Sequence, residues 1–518
     1  MKKSLLFLLL FLLMGTTISA QYKNIEIHAS NNPEEPSIII DPKNPARLVA
    51  GANLNNYYYS SDTGKTWSKG FLSSPYGVWG DPAISVDTNG HFFFFHLSNP
   101  VPGNGSFIDR IVVQKSTDQG STWSTGTFMG LNGTKQQDKQ WAAIDRRNNA
   151  IYVTWTEFDR YGSSAPTDSS RIMFSKSTDG GNTWSTQKRI NKKSGDCIDG
   201  DNTVEGAVPA VGPNGEIYVS WAGPDGLVFN KSLDGGNTWL AADKIITPIP
   251  GGWDFDVPGI YRANGLPITL CDVSNGPNKG TIYVNWSDQR NGVTDTDIWM
   301  TKSSDGGNTW SAIKKVNDDT KGSQQFFTWM TIDQSNGNLY TAFYDRRNYT
   351  DLQTDVYMAY STDGGNTFTN ERISETPFVP VSTVFFGDYL NITAHNNIVR
   401  PIWGRMDVNG VSRVFTALIN NPVANAGNNG GNVLQQNYPN PTSNLTFIAF
   451  KLHNAQNVSI YIYDMSGKLL ATPLKNAFMP EGRNVIPIDS KKLFLAAGTY
   501  VYTLQTETEK ISKKLIIQ

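Results

Sequence analysis

The sequence predicts an all-β chain: a seven-bladed β-propeller, with six blades as the alternative, followed by a small C-terminal β-sandwich. Three observations predict it. One eight-residue motif recurs six times, short runs of β-branched and aromatic residues bounded by Asn-Gly or Asp-Gly turns surround every copy, and no stretch reads as a long amphipathic helix. The composition fits a globular chain: 518 residues, 38% hydrophobic and 17% charged. A formal net charge of −2 and the lack of any basic tract argue against a nucleic-acid partner. Two cysteines cannot form a disulfide framework, although one bridge between Cys197 and Cys271 stays open.

The chain opens with Lys2 and Lys3, an apolar run from Leu5 to Met14, and small residues ending Ile18-Ser19-Ala20. This pattern predicts a secretory signal peptide over residues 1–20. No later segment approaches the roughly 20 apolar residues of a transmembrane helix. Next comes the repeat region, 21–419. The motif Ser60-x-Asp62-x-Gly64-x-Thr66-Trp67 recurs with its aspartate at Asp118, Asp179, Asp234, Asp305 and Asp363, at spacings of 56, 61, 55, 71 and 58 residues. Such a period accommodates one four-stranded sheet per repeat. The first strands run from Pro36 to Asp41, Pro82 to Asp87, Trp141 to Asp145, Ala207 to Val211, Pro267 to Cys271 and Trp329 to Asp333. A seventh set (Tyr389 to Ala394, Ile398 to Trp403, Arg413 to Leu418) lacks a fourth strand. The spare N-terminal strand Lys23 to His28 is expected to complete it and close the ring.

The motif resembles the Asp-box, or BNR repeat, of sialidases and related secreted propellers. The resemblance implies that the boxes sit on outer hairpins as blade fasteners. The residues agree: Asp caps a tight turn, paired Gly supplies positive φ, and Trp packs between sheets. The tail also resembles a known unit. Residues 420–432, rich in Asn and Gly, read as a linker, and 433–518 carry Asn437-Tyr438-Pro439-Asn440-Pro441, Tyr461-x-Tyr463-Asp464 and Gly498-Thr499-Tyr500. Together these are similar to the sorting domain of proteins exported by type IX secretion. That implies passage through the periplasm, the type IX machinery as a partner, and release or attachment at the cell surface. The mature chain holds 42 basic and 46 acidic residues. The tail takes nine and five of them, leaving the repeat region 33 against 41, a net of −8.

Connections before the first strand and after the second share one face of such a ring, where ligands bind. Before the first strands stand Glu35, Asp81, Asp138, Glu205, Asp256 and Asp388. Converging carboxyls push one another's pKa values apart, which supplies an acid and a base at one pH. Arginines among them bind a substrate carboxylate in bidentate fashion. The sialidase resemblance implies a secreted glycoside hydrolase acting on terminal sugars of extracellular glycans. It makes Asp81 the candidate acid/base, Tyr389 the nucleophile and Glu205 its base, with Arg290, Arg347 and Arg405 as a carboxylate-binding triad. Arg262 and Asp388 complete the candidate substrate site. Two alternatives stand beside this: a non-catalytic propeller that binds glycan or protein, and a polysaccharide lyase using His96. No organic cofactor is expected; a structural Ca²⁺ in the acidic loop of Asp196, Asp199, Asp201 and Glu205 is an option. Trp79, Trp141, Trp253, Trp329 and Trp403 are candidates for sugar stacking or for core.

Overall fold

A computed structural model describes residues 22–99, 108–320, 322–407, 409–420, 432–437, 439–452, 454–506 and 509–518. The expected signal peptide and most of the expected linker lie outside the described residues. The chain divides into two compact units after Asn420. Every regular element described in either unit is a strand.

In the first unit six sheets follow one another, each of four consecutive antiparallel strands, over residues 37–71, 83–129, 136–189, 205–247, 268–315 and 325–372. A seventh combines Asn391–His395, Ile398–Met406 and Ser412–Ala417 with the N-terminal strand Asn24–His28, which lies antiparallel to Ser412–Ala417 with Asn24 opposite Ala417. The first strand of each sheet touches the first strands of both neighbouring sheets, and that of the seventh touches that of the first. The ring is therefore closed by two chain segments more than 350 residues apart, the N-terminal strand covering the edge of Ser412–Ala417 that would otherwise stay unpaired.

Each sheet is covered on both faces by its neighbours, so second strands such as Phe92–Leu97, Ile151–Phe158 and Ile282–Asp288 are buried along their whole length. Trp155, Trp221, Trp286 and Trp403 fill corresponding places on these strands and are fully buried. The six Ser-x-Asp turns repeat one geometry. In the first, the Gly64 amide donates to Ser60 Oγ (2.9 Å), while the Thr66 amide and hydroxyl donate to the two oxygens of Asp62 (3.0 and 2.7 Å). The sixth repeats it with Gly365, Thr367 and Asp363. The box aspartates are consumed by their own turns.

What joins one sheet to the next is the residue before the serine. Lys176, Lys231 and Lys302 each donate to a carbonyl and an asparagine of the following sheet's turn, as Lys231 Nζ does to Gly306 O (2.6 Å) and Asn308 Oδ1 (3.1 Å). In the last four boxes the second glycine, Gly181, Gly236, Gly307 or Gly365, closes the same seam. A Cβ on Gly307, at φ +77°, would stand 2.4 Å from the Phe229 ring of the preceding sheet.

Cys197 and Cys271 are both buried and unpaired, so the one bridge left open by the sequence is not formed. Apolar packing and the hydrogen-bonded seams hold the ring without a disulfide. Among the described residues no helix is long and apolar enough to cross a membrane.

The second unit consists of two sheets. One holds Val433–Leu434, Leu445–Leu452 and Gly482–Asp489; the other holds Leu469–Met479, Gln456–Asp464, Gly498–Gln505 and Lys510–Ile517. Ile448, Phe450, Leu452, Ile460, Tyr502 and Leu515 belong to one buried cluster contributed by both. The Tyr502 hydroxyl donates to Gln435 O (2.6 Å) and accepts from the Asn437 amide (2.7 Å), which fixes the start of this unit against its centre.

Candidate active site

Just ahead of the first strands of sheets one and two, and within the first strand of sheet three, the chain takes a left-handed turn at a non-glycine residue: Glu35 (φ 51°), Asp81 (52°) and Lys139 (50°). In sheet three this coincides with a register shift between Asp138 and Trp141. Such a bulge re-aims a side chain that regular pleating would send elsewhere, and strained backbone of this kind gathers at functional sites. Here it gathers charges. Lys139 Nζ stands 2.5 Å from Asp388 Oδ2, 3.4 Å from Asp81 Oδ2 and 3.7 Å from Glu35 Oε1. Arg262, on the insertion before the fifth sheet, donates from Nε to Asp388 Oδ1 (2.7 Å) and from Nη2 to Asp388 Oδ2. Its Nη1 reaches Asp199 Oδ2 at 3.2 Å, and the Tyr161 hydroxyl donates to the same oxygen (2.5 Å). Asn53 links two acids: its Nδ2 donates to Glu35 Oε2 (2.5 Å) and its Oδ1 accepts from the Asp81 amide (2.7 Å).

Burial and crowding separate the protonation states of these carboxyls. Burial raises Asp388, but Lys139 and Arg262 outweigh it and hold this group well below the usual carboxylate range. Burial lowers Lys139, and the surrounding carboxylates reverse that and push it well above its ordinary value. Glu35 is pushed well up by burial and by the charge of Asp81. Burial lifts Glu34 to about 8. Asp138 rises to about 7, through burial first, with Asp81 and Asp199 adding to the rise and Lys139 opposing it. Glu205 is buried, pushed well up by burial and by Asp199, and has one oxygen, Oε2, with no hydrogen-bond partner. The cluster therefore holds proton-bearing carboxyls beside an ionised one. Glu34, Glu35, Asp81, Asp138, Lys139 and Arg262 line a cavity of about 290 Å³, with Trp79, Tyr161 and Phe385 beside them, and Glu205 and Asp388 line a recess behind it. A larger cavity of about 510 Å³ lies at the opposite ends of the same first strands, walled mainly by apolar groups such as Ile39, Ile84 and Leu270. The clustered carboxyls are at the smaller one.

Of the residues expected at the site, Asp81, Glu205, Asp388 and Arg262 are brought together, with Glu35 and Asp138. Asp256 is not: it lies exposed on the insertion. Tyr389 lies below the cluster against Trp141, with ring centroids 5.0 Å apart. Its hydroxyl is pushed well above the ordinary phenol value by burial first and then by Glu35 and Asp81. The acids whose charge acts on Tyr389 are Glu35 and Asp81, rather than the expected Glu205, which is raised by Asp199. The three-arginine arrangement is not assembled. Arg290 is bidentate to Asp288 and stacks on Trp299. Arg347 pairs with Asp345 and Asp318. Arg405 donates to Thr376 and Pro377. Each serves its own sheet and the adjoining connection, because carboxylates or carbonyls two to thirty residues away satisfy it first.

His96 is fully buried, its Nδ1 2.8 Å from Leu97 O, and burial lowers its pKa to about 4. It does not reach the cavity as a lyase base would. Trp79 lines the cavity, whereas Trp141, Trp253 and Trp403 are buried, and Trp329 packs on Trp141 at 4.3 Å. The acidic loop gathers no cation site: Asp199 serves Arg262 and Tyr161, and Asp201 accepts from the Asp254 amide. Among the described residues, the carboxyls grouped closely enough to hold a metal are Asp295, Asp297 and Asp319, whose oxygens lie within 4.8 Å of one another. Lys315 already stands 3.1 Å from Asp297 and 3.3 Å from Asp319.

Lys139, Asn53, Glu34 and Tyr161 were missed by reasoning from sequence. Lys139 had one signal, its position directly after Asp138 at the mouth of a first strand; the others had none.

Residues 436–518 match the family model of the secretion system C-terminal sorting domain. The chain is thus a type IX secretion cargo, directed to the cell surface or the extracellular space. Over 174 residues, 29% of this chain and 19% of the relative, the sequence is 29% identical to a xyloglucanase of Acetivibrio thermocellus. The chain spans about a fifth of the length of this curated relative. Similar solved structures include an ulvan lyase (14% identity, 77% of this chain and 96% of that one, TM-score 0.45). An α-L-arabinofuranosidase of Fusarium graminearum is 15% identical over 69% of this chain and 98% of its own, with a TM-score of 0.42. Trypanosoma rangeli sialidase in complex with sialic acid is 12% identical over 87% and 84%, with a TM-score of 0.41.

Proposed function

We propose that this chain is an extracellular glycoside hydrolase acting on terminal sugars of glycans. In this reading residues 21–419 form a seven-bladed catalytic propeller, 420–432 a linker, and 433–518 a sandwich that serves export. The observation that carries it is the set of carboxyls at the 290 Å³ cavity and the recess behind it, in which Asp138 at about 7 and Glu34 at about 8 keep protons on the cavity while Asp388 on the recess is ionised and cation-held. Separated protonation states among neighbouring carboxyls are what glycosidic cleavage needs: one group protonates the leaving oxygen while another assists attack at the sugar carbon. Asp81 is the acid/base, held on a left-handed turn at the cavity wall, 3.4 Å from Lys139. Tyr389 with Glu35 is the nucleophilic pair. Export to the cell exterior and the partial likeness to a xyloglucanase support a carbohydrate substrate.

The test is fluorophore release by the mature full chain, residues 21–518, from a panel of aryl glycosides. Asp81→Asn is expected to lower kcat by about 10²–10⁴-fold with sugar affinity retained, the usual contribution of a positioned acid/base. Unchanged turnover removes Asp81 from the mechanism. Binding without turnover on any glycoside replaces the hydrolase by the binding-propeller reading.

A further inference from the structure

We propose that the cavity takes uncharged sugars and rejects those bearing a carboxylate, such as sialic and uronic acids. The inference rests on the reading of this cavity as a sugar site. Its ground is that every cation facing the cavity is already paired inside the protein. Lys139 is divided among Asp388, Asp81 and Glu35. Arg262 is bidentate to Asp388 and also bonded to Asp199. Among the described residues no other Lys or Arg lines the cavity or the recess behind it. Against these two stand eight carboxyl groups: Glu34, Glu35, Asp81 and Asp138 on the cavity, and Asp199, Glu205, Asp254 and Asp388 on the recess.

A substrate carboxylate would be a ninth acid in the same space. To gain a bidentate partner it would have to displace Asp388 from Arg262, and the Asp388 side chain is only 3% exposed. That exchange leaves a buried carboxylate with Lys139 as its remaining partner, which is costly. The arginines that might have answered a substrate anion, Arg290, Arg347 and Arg405, are tied to their own sheets. A neutral sugar needs none of this. Its hydroxyls donate to ionised carboxyls and accept from protonated ones, and Trp79, Tyr161 and Phe385 offer aromatic faces to its C–H surfaces.

The experiment uses the mature full chain and pairs of glycosides that differ only in charge, such as glucoside with glucuronide and galactoside with galacturonide, with an N-acetylneuraminic acid glycoside alongside. The expected result is a kcat/KM at least about 100-fold higher for the neutral member of a pair, the scale of discrimination a site makes against an unpaired group. The same order is expected in equilibrium binding of neutral and acidic oligosaccharides. In Asp388→Asn, which removes the one carboxylate that both cations share and leaves each with weaker partners, affinity for the acidic member should rise about tenfold. Turnover of the sialoside or a uronide at a rate equal to or above the neutral glycosides, and lost in Asp81→Asn, overturns this inference and leaves the hydrolase reading intact. Binding of neutral oligosaccharides without turnover does the reverse. Tighter binding of acidic than of neutral oligosaccharides by the unaltered chain, or no binding of either, overturns it whether or not Asp388→Asn folds.

Discussion

Lys139 carries the ammonium group that holds Asp388, Asp81 and Glu35 together, and its side chain is only 7% exposed. Charges buried this deeply tolerate one another only while paired. Removing one partner strands the rest. Lys139→Met is therefore expected to destabilise the first unit by about 3–5 kcal/mol in denaturant unfolding. The loss should shrink at acid pH, where the stranded carboxyls gain protons. An unchanged midpoint at neutral pH would show that water, not Lys139, compensates the cluster. The sequence half-disclosed this residue. A lysine after Asp138 stood in view, but its reach to Asp388, 249 positions away, depends on a left-handed backbone that neither residue type announces.

The box hairpin shows how a local motif acquires a long-range purpose. Its hydrogen bonds from Ser, Thr and Gly to one another and to Asp are all within five residues, so they could be read from spacing alone. The seam could not, because Lys231 and Phe229 meet the Gly306–Asn308 turn only once two sheets are adjacent. Gly307→Ala is expected to cost about 1–3 kcal/mol through overpacking, added to about 1 kcal/mol for its left-handed φ. Gly162→Ala, at φ +75° with open space around it, carries only the second contribution. Thermal unfolding of the two variants separates the effects, and equal losses would mean that Phe229 moves aside freely. The same distinction explains the arginines. The repeated Asp-x-Arg-Asn, Asp288 to Asn291 and Asp345 to Asn348, is compatible in sequence with a local salt-bridged turn or with ligand binding, and its arginine is bonded to the aspartate two residues before it.

At the scale of the molecule, closure and protonation are linked to stability in different ways. Asn24–His28 completes the last sheet, so ring closure waits for residues at both ends of the first unit. The raised carboxyls impose a pH dependence. Glu34 and Asp138, with pKa values near 8 and 7 when folded and ordinary values of 4.5 and 3.8, bind more protons in the folded chain between those limits. Their contribution is fully present below the ordinary values and is lost as pH rises through 7 to 8. Asp388 runs the other way: it stabilises above its ordinary 3.8 and loses this as pH falls. The expected outcome is a higher Tm at about pH 5.5 than at about pH 8.5, measured by calorimetry on the mature chain. A flat or rising Tm over that range would show that these carboxyls are already ionised when folded.

The sequence by itself determined the all-β character, the order of strands and turns, the sorting tail and the neighbourhood of the acids. The strands, turns and acids are written in periodicity, turn chemistry and short-range hydrogen bonds, and the tail in its resemblance to the sorting domain. Only the tertiary structure decided which of those acids meet, that Lys139 and Arg262 share Asp388, and that the other arginines stay at home. Whether a charged side chain reaches a common centre depends on backbone direction at single bulges and on which partner is nearest in space, and neither quantity is local in sequence.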